Sequence, residues 1–130
     1  MDLHDAALAL AGLIGSGTAV VHGILTQRLM VGPIGAALGA GKTLSAPIRK
    51  LVPMLLQFST FAWLAGGIAL IATAAWLGRD AKLAVGLTVG SLYLYGAVGN
   101  AWATRGRHPG WILMAVSVAL IGYGVCAPGG

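Results

Sequence analysis

Charge is scarce in this sequence, and negative charge most of all. Of 130 residues 3 are acidic and 8 are Lys or Arg, so charged residues make up 8% of the chain, against about a quarter in a typical soluble domain. All three acids are aspartates, Asp2, Asp5 and Asp80. Too little charge is present to coat a surface facing water. That excludes a soluble globular enzyme, and a highly charged disordered tail as well. A single cysteine, Cys126, excludes an intrachain disulfide scaffold. A metal centre draws three or four ligands from His, Cys and carboxylates, yet His4 and His108 fall near opposite ends of the expected fold and Cys126 near one face. No acid lies inside any long apolar stretch, so no Ser-His-Asp set can be assembled there. No cofactor is expected. A bis-histidine haem would need a second buried histidine level with His22, which only a second copy of the chain would supply.

What the sequence has in abundance is uncharged, apolar length: 58% hydrophobic residues and a mean hydropathy of +0.87. The charges punctuate four stretches rather than scattering. A transmembrane helix needs about 20 apolar residues, with a lower limit of about 17, and the expected spans are residues 6–27, 52–77, 83–104 and 111–127. The fourth is the shortest. Pro53 is placed in the first turn of the second span, where its missing N–H does no harm. None of the four has the charged outer face that a soluble helical bundle requires. The fold expected is therefore all-α, a four-transmembrane-helix bundle forming a single membrane domain over residues 1–130. The start Met1-Asp2-Leu3-His4-Asp5 lacks the positive region that opens a signal peptide, so the first span is read as retained.

Lys and Arg collect in cytoplasmic loops. Arg28, Lys42, Arg49 and Lys50 follow the first span and Arg105 and Arg107 the third, against Arg79 and Lys82 after the second. This bias places the 28–50 loop in the cytoplasm and both termini outside it. Trp102 and Trp111 then flank the inner side, with Trp76 and Tyr123 near the outer one, as expected of headgroup-level aromatics; Trp63, Tyr93 and Tyr95 at mid-depth point to packing inside the bundle. The net charge of +5 reads as topology with a contribution from anionic lipid. It does not indicate nucleic acid, because the basic residues are spread over three loops. Within the first loop, Gly39-Ala40-Gly41-Lys42-Thr43 has the ending of a phosphate-binding P-loop, but that pattern needs a glycine where Ala36 stands. The same loop is long enough to hold a short interfacial helix.

Membrane helices associate where small residues let backbones approach. Gly12, Ser16, Ala19, Gly23 and Thr26 form one such stripe. Gly86 and Gly90 form a GxxxG pair, with Tyr93, Ala97 and Asn100 close to its face. These stripes are expected to make helix contacts within one chain or in a homodimer. His22 is the one ionisable residue well inside a span, and such a residue is by default a functional site. At 1.5 Å per residue, His22 lies roughly 9 Å in from Arg28, Gln57 about 10 Å in from Lys50, Asn100 about 8 Å in from Arg105, and Ser117 about 9 Å beyond Trp111. The four are expected to form one polar layer. It either fixes helix register by hydrogen bonds or binds a small solute with His22 as its titrating member. His22 with Thr26 and Asn100 with Thr104 also make similar i, i+4 pairs before Arg28 and Arg105, a faint sign of duplication.

Three resemblances bear on this reading. In size and span count the chain resembles the small multidrug resistance transporters. Their membrane-embedded glutamate has no counterpart here, so the resemblance is architectural. Phe58-Ser59-Thr60-Phe61 resembles a short motif of the fluoride-channel family, although it lies in the second span rather than the third and lacks the preceding Gly and Thr. More broadly, His22-Gly23 with Arg28-Leu29-Met30, the segment from Leu55 to Phe61, and Arg105-Gly106-Arg107-His108-Pro109-Gly110-Trp111 are similar to small four-span bacterial inner-membrane proteins without an assigned activity. That resemblance implies location and fold. The function expected is a non-enzymatic integral membrane component, an accessory or interaction protein whose partners are the lipid bilayer and further copies or a larger membrane complex. The alternative is a homodimeric channel or transporter for a small solute or ion, built on the layer around His22.

Overall fold

The computed structural model describes residues 2–40 and 45–126. Lys42 and the end of the P-loop-like segment lie outside the described residues, as does Ala127 at the end of the fourth expected span. Five α-helices account for nearly all the rest: α1 (Leu3–Thr26), α2 (Gly32–Ala40), α3 (Ala46–Trp76), α4 (Arg79–Thr104) and α5 (Gly110–Val125). Asp2 caps α1 by accepting the Asp5 N–H at 2.8 Å. That hydrogen bond holds the Asp2 carboxyl below its usual value of 3.8. A depressed folded-state pKa means that the cap contributes above the unfolded value and is lost as pH falls through the folded one. Amide exchange at Asp5, corrected for intrinsic rate, is therefore expected to speed up as pH drops below 3.8. An exchange rate indifferent to this titration would contradict the cap.

Two expected boundaries move. The segment after residue 27 is not an open loop: α1 continues through a π-helical turn, Gln27–Val31, in which Gly32 N–H bonds to Gln27 O, and then into α2. The wider turn sits just where Pro33, lacking an N–H, would have broken a regular α-helical ladder. The second long helix starts at Ala46, with Pro47 in its first turn, so Arg49 and Lys50 are already helical and Pro53 lies inside the helix rather than at its start. Helix α4 begins at Arg79, with Asp80 in its first turn, and ends on Arg105 in a left-handed conformation (φ 52°) followed by Gly106 (φ 73°). Gly106 supplies the positive φ that turns the chain back toward α5.

The four long elements form a ring in which α1 touches α3 and α5, and α4 closes the ring on the far side. Small residues make each contact. A Cβ on Gly12 would lie 2.5 Å from the Gly67 carbonyl, so α1 and α3 cross backbone to backbone, while Gly23 takes the Thr60 methyl. Ser16 abuts Gly67 from the same stripe. Gly96 accepts the indole of Trp63, Gly86 receives Val125 and Ile121, Gly90 lies against Ile121, and Gly124 receives Leu8. Both sequence stripes thus pack within the chain, but onto different neighbours: the α1 stripe onto α3, the Gly86–Gly90 pair onto α5. The bundle centre is filled by Tyr93, fully buried, whose ring lies on Gly15 and whose hydroxyl donates to the Trp63 carbonyl at 2.9 Å.

The distribution of side chains is inverted relative to a soluble protein. Ala7, Ala11, Ala19, Ala74 and Ala97 are buried beside glycines, whereas Leu13, Phe58, Phe61 and Val98 are more than 60% exposed. Three helical segments, Leu3–Gly39, Ala46–Trp76 and Arg79–Thr104, are long and apolar enough to cross a membrane; Gly110–Val125 is apolar but shorter. Charge divides the two ends. Where α1 and α4 begin, Asp5 pairs with Lys82, and His4 stacks on Tyr123 while its Nδ1 hydrogen-bonds the Tyr123 carbonyl at 2.9 Å. The opposite end carries Arg28, Arg49, Lys50, Arg105 and Arg107, with no acid among the described residues.

Candidate functional site: the cavity beside His22

The short fifth helix creates the site. Gly124 of α5 sits against Leu8 and Gly86 of α4 against Val125; counting along the helices from these contacts brings Gly110 level with His22 and Asn100. The chain overshoots to Thr104, turns at Gly106 and descends, so that His108 and Pro109 drop beside the bundle. A cavity of about 340 Å³ opens there between α1 and α5. Its wall includes Thr18 and His22 of α1, Trp63 of α3, Asn100 of α4, and His108 and Met114. A second, about 220 Å³, lies on the α3–α4 side and shares His22, Trp63 and Asn100 with the first, adding Ser59 and Tyr95. These three side chains therefore form a partition between two cavities.

Hydroxyl behaviour shows how His22 is held. Thr18, Thr88, Ser91, Thr104 and Ser117 each donate to the carbonyl four residues back in their own helix, the habit of an otherwise unpartnered helical hydroxyl. Ser59 and Thr26 instead meet the His22 Nε2, at 3.2 and 3.3 Å. The imidazole also lies 4.6 Å from the Trp63 ring, centroid to centroid. With Nε2 occupied by two hydroxyls and the ring wedged by an indole, orientation is fixed, while Nδ1 has no partner among the described residues.

Of the four residues expected to share one polar layer, two come together. His22 and Asn100 line both cavities, Asn100 anchoring one amide N–H on Gly96 O at 2.9 Å. Gln57 does not join them: it donates to Gly23 O and to Gln27 Oε1, both at 3.2 Å, and so ties α3 to the end of α1. Two residues along a helix is a rotation of about 200°, so Ser59 rather than Gln57 faces the histidine. Ser117 is fully buried and bonded to Leu113 O, away from the cavity. The paired i, i+4 motifs also diverge: Thr26 reaches the His22 ring, but Thr104 reaches only the Asn100 backbone.

Ser59, Trp63 and His108 were not singled out from the sequence as site residues. The signal for His108 was the shortness of the fourth span, which forces the preceding loop to descend. Ser59 stood only within the Phe58-Ser59-Thr60-Phe61 segment, whose resemblance to a channel motif did not point it at His22. Chemically, the partition offers hydrogen bonds, a flat aromatic wall and an apolar surround, the usual composition of a small-molecule pocket. No family model, curated protein or solved structure matches this chain.

Proposed function

We propose that the chain is a four-span integral protein of the bacterial inner membrane, both termini outside the cytoplasm, acting without catalysis as a binding or accessory component. Its cavity beside His22 takes an amphiphilic molecule from the bilayer. The observation that carries this reading is the cavity itself: an apolar opening between α1 and α5 whose depth presents His22, Asn100 and Trp63. The exposed Leu13 and Val21 on its α1 edge support an entrance on the hydrocarbon side. The four-span assignment draws on the three long apolar helices and on α5, which runs beside α1 and α4; the orientation draws on the unpaired basic end. Native mass spectrometry of protein extracted in mild detergent and delipidated is expected to show one retained adduct of lipid-like mass. Bare protein alone would overturn the reading.

A homodimeric channel or transporter is the second reading, favoured by the paired cavities meeting at His22. Tyr93, seated on Gly15, closes the centre of the single chain, so conduction would require that ring to leave or a path between copies. Ion or solute flux into liposomes that persists in Tyr93→Phe and disappears in His22→Leu would favour this second reading.

A further inference from the structure

The polar groups around the cavity are unequal in kind. Gly110 N–H donates to His108 Nδ1 at 3.1 Å, so the neutral His108 ring carries its proton on Nε2 and can only donate there. Asn100 keeps a second amide N–H beyond the one given to Gly96. The indole N–H of Trp63 finds no acceptor among the described residues. No carboxylate lines the cavity. All three aspartates stand at the far end of the bundle, one of them paired with Lys82. Arg105 and Arg107 lie in the same short loop as His108, and no acid at this end answers them. A cation would find no carboxylate here, only neutral acceptors such as Asn100 Oδ1, and would face the like charge of Arg105 and Arg107. A neutral head would leave the donors and the basic rim uncompensated.

We propose that this cavity binds the anionic head, carboxylate or phosphate, of a membrane amphiphile, whose acyl chain lies along the apolar groove between α1 and α5. Basic pockets between membrane helices on the cytoplasmic side recognise acidic headgroups in this way. Leu13, Val21 and Leu113, all exposed, give the chain its track, and the head sits where His108 Nε2 and Asn100 converge. The proposal rests on the bilayer-amphiphile reading of the cavity and narrows it to one charge class.

Trp63 reports occupancy directly, because it lines the cavity. A variant retaining only this tryptophan (Trp76→Phe, Trp102→Phe, Trp111→Phe) is reconstituted in phosphatidylcholine nanodiscs carrying a small fraction of chain-brominated lipid. Brominated phosphatidylglycerol and brominated oleate are expected to quench Trp63 at about tenfold lower mole fraction than brominated phosphatidylcholine. His108→Leu, which removes the Nε2 donor and whose helical fold is checked by circular dichroism because His108 Nδ1 also accepts the Gly110 N–H, is expected to erase that preference. Inorganic phosphate in the buffer is expected to leave quenching unchanged; displacement by it would assign the site to free phosphate and overturn the lipid as occupant. Equal quenching by charged and zwitterionic lipids would overturn the anion assignment while leaving the amphiphile reading intact. No quenching by either would overturn both. A preference that survives His108→Leu in the folded variant would overturn the placement of the head.

Discussion

Replacing Gly15 by leucine is expected to destabilise the bundle by about 2–4 kcal/mol. Even a lone Cβ at this position would overlap the Tyr93 phenol from its hydroxyl to Cε2. The ring cannot swing aside, since Tyr93 is fully buried and tied to the Trp63 carbonyl. Overpacking a tight interior costs about 1–3 kcal/mol, and eviction of the ring adds the lost hydrogen bond at about 1 kcal/mol. Tyr93→Phe, which loses the hydrogen bond alone, is expected to cost about 1 kcal/mol. Gly122→Leu, whose Cβ would meet open space, is expected to change little. Denaturant titration in detergent micelles, followed by helical circular dichroism, orders the three. Equal stability of Gly15→Leu and Gly122→Leu would contradict the central packing.

Gly17→Phe is expected to act in the opposite sense: loss of the retained amphiphile without loss of fold. Gly17 lies two residues from Gly15, yet it faces the cavity rather than the bundle centre, and a Cβ there meets no atom within 4 Å. A benzyl group would occupy the space between α1 and α5 that the ligand is proposed to fill. The lipid-mass adduct in native spectra is expected to vanish while the unfolding midpoint stays within about 0.5 kcal/mol of the parent, as for changes away from packed features. An adduct retained in full by Gly17→Phe would place the bound molecule elsewhere. Two glycines two residues apart therefore separate stability from binding.

Much of the helical architecture could be read from where the charges fall, because a stretch of about 20 uncharged residues leaves few alternatives to a helix. The small-residue stripes were legible for the same reason that they work: glycine and alanine allow close approach on any face where they recur. Their partners were not, since a stripe names a contact surface and not its neighbour. The pairing of Gly12 with Gly67 depends on how α3 is set against α1, and α3 starts six residues before the basic cluster and Pro53 suggested. Residues after 27 misled for a local reason: Gly32-Pro33 reads as a break, but a π-helical turn absorbs the missing N–H and helix continues. Depth counted along each helix brought His22 and Asn100 together, yet depth says nothing about rotation. Hence Gln57 and Ser117 were placed in the layer, when Gln57 turns toward Gln27 and Ser117 toward its own backbone. From the sequence His108 reads as a loop residue at the end of the bundle opposite His4, because a one-dimensional reading cannot show a loop folding back past the end of its helix.

The central proposal is that hydrocarbon surrounds this bundle, with its aspartate-bearing end outside the cytoplasm and its basic end inside it. Cys126, exposed beside the aspartate-bearing end and the only cysteine in the chain, gives the most direct test. A membrane-impermeant maleimide applied to intact spheroplasts is expected to label Cys126 in the parent. In an Arg107→Cys, Cys126→Ser variant it is expected to label only after permeabilisation. Equal labelling of both positions in intact spheroplasts, or recovery of the folded protein in buffer without detergent, would contradict the account.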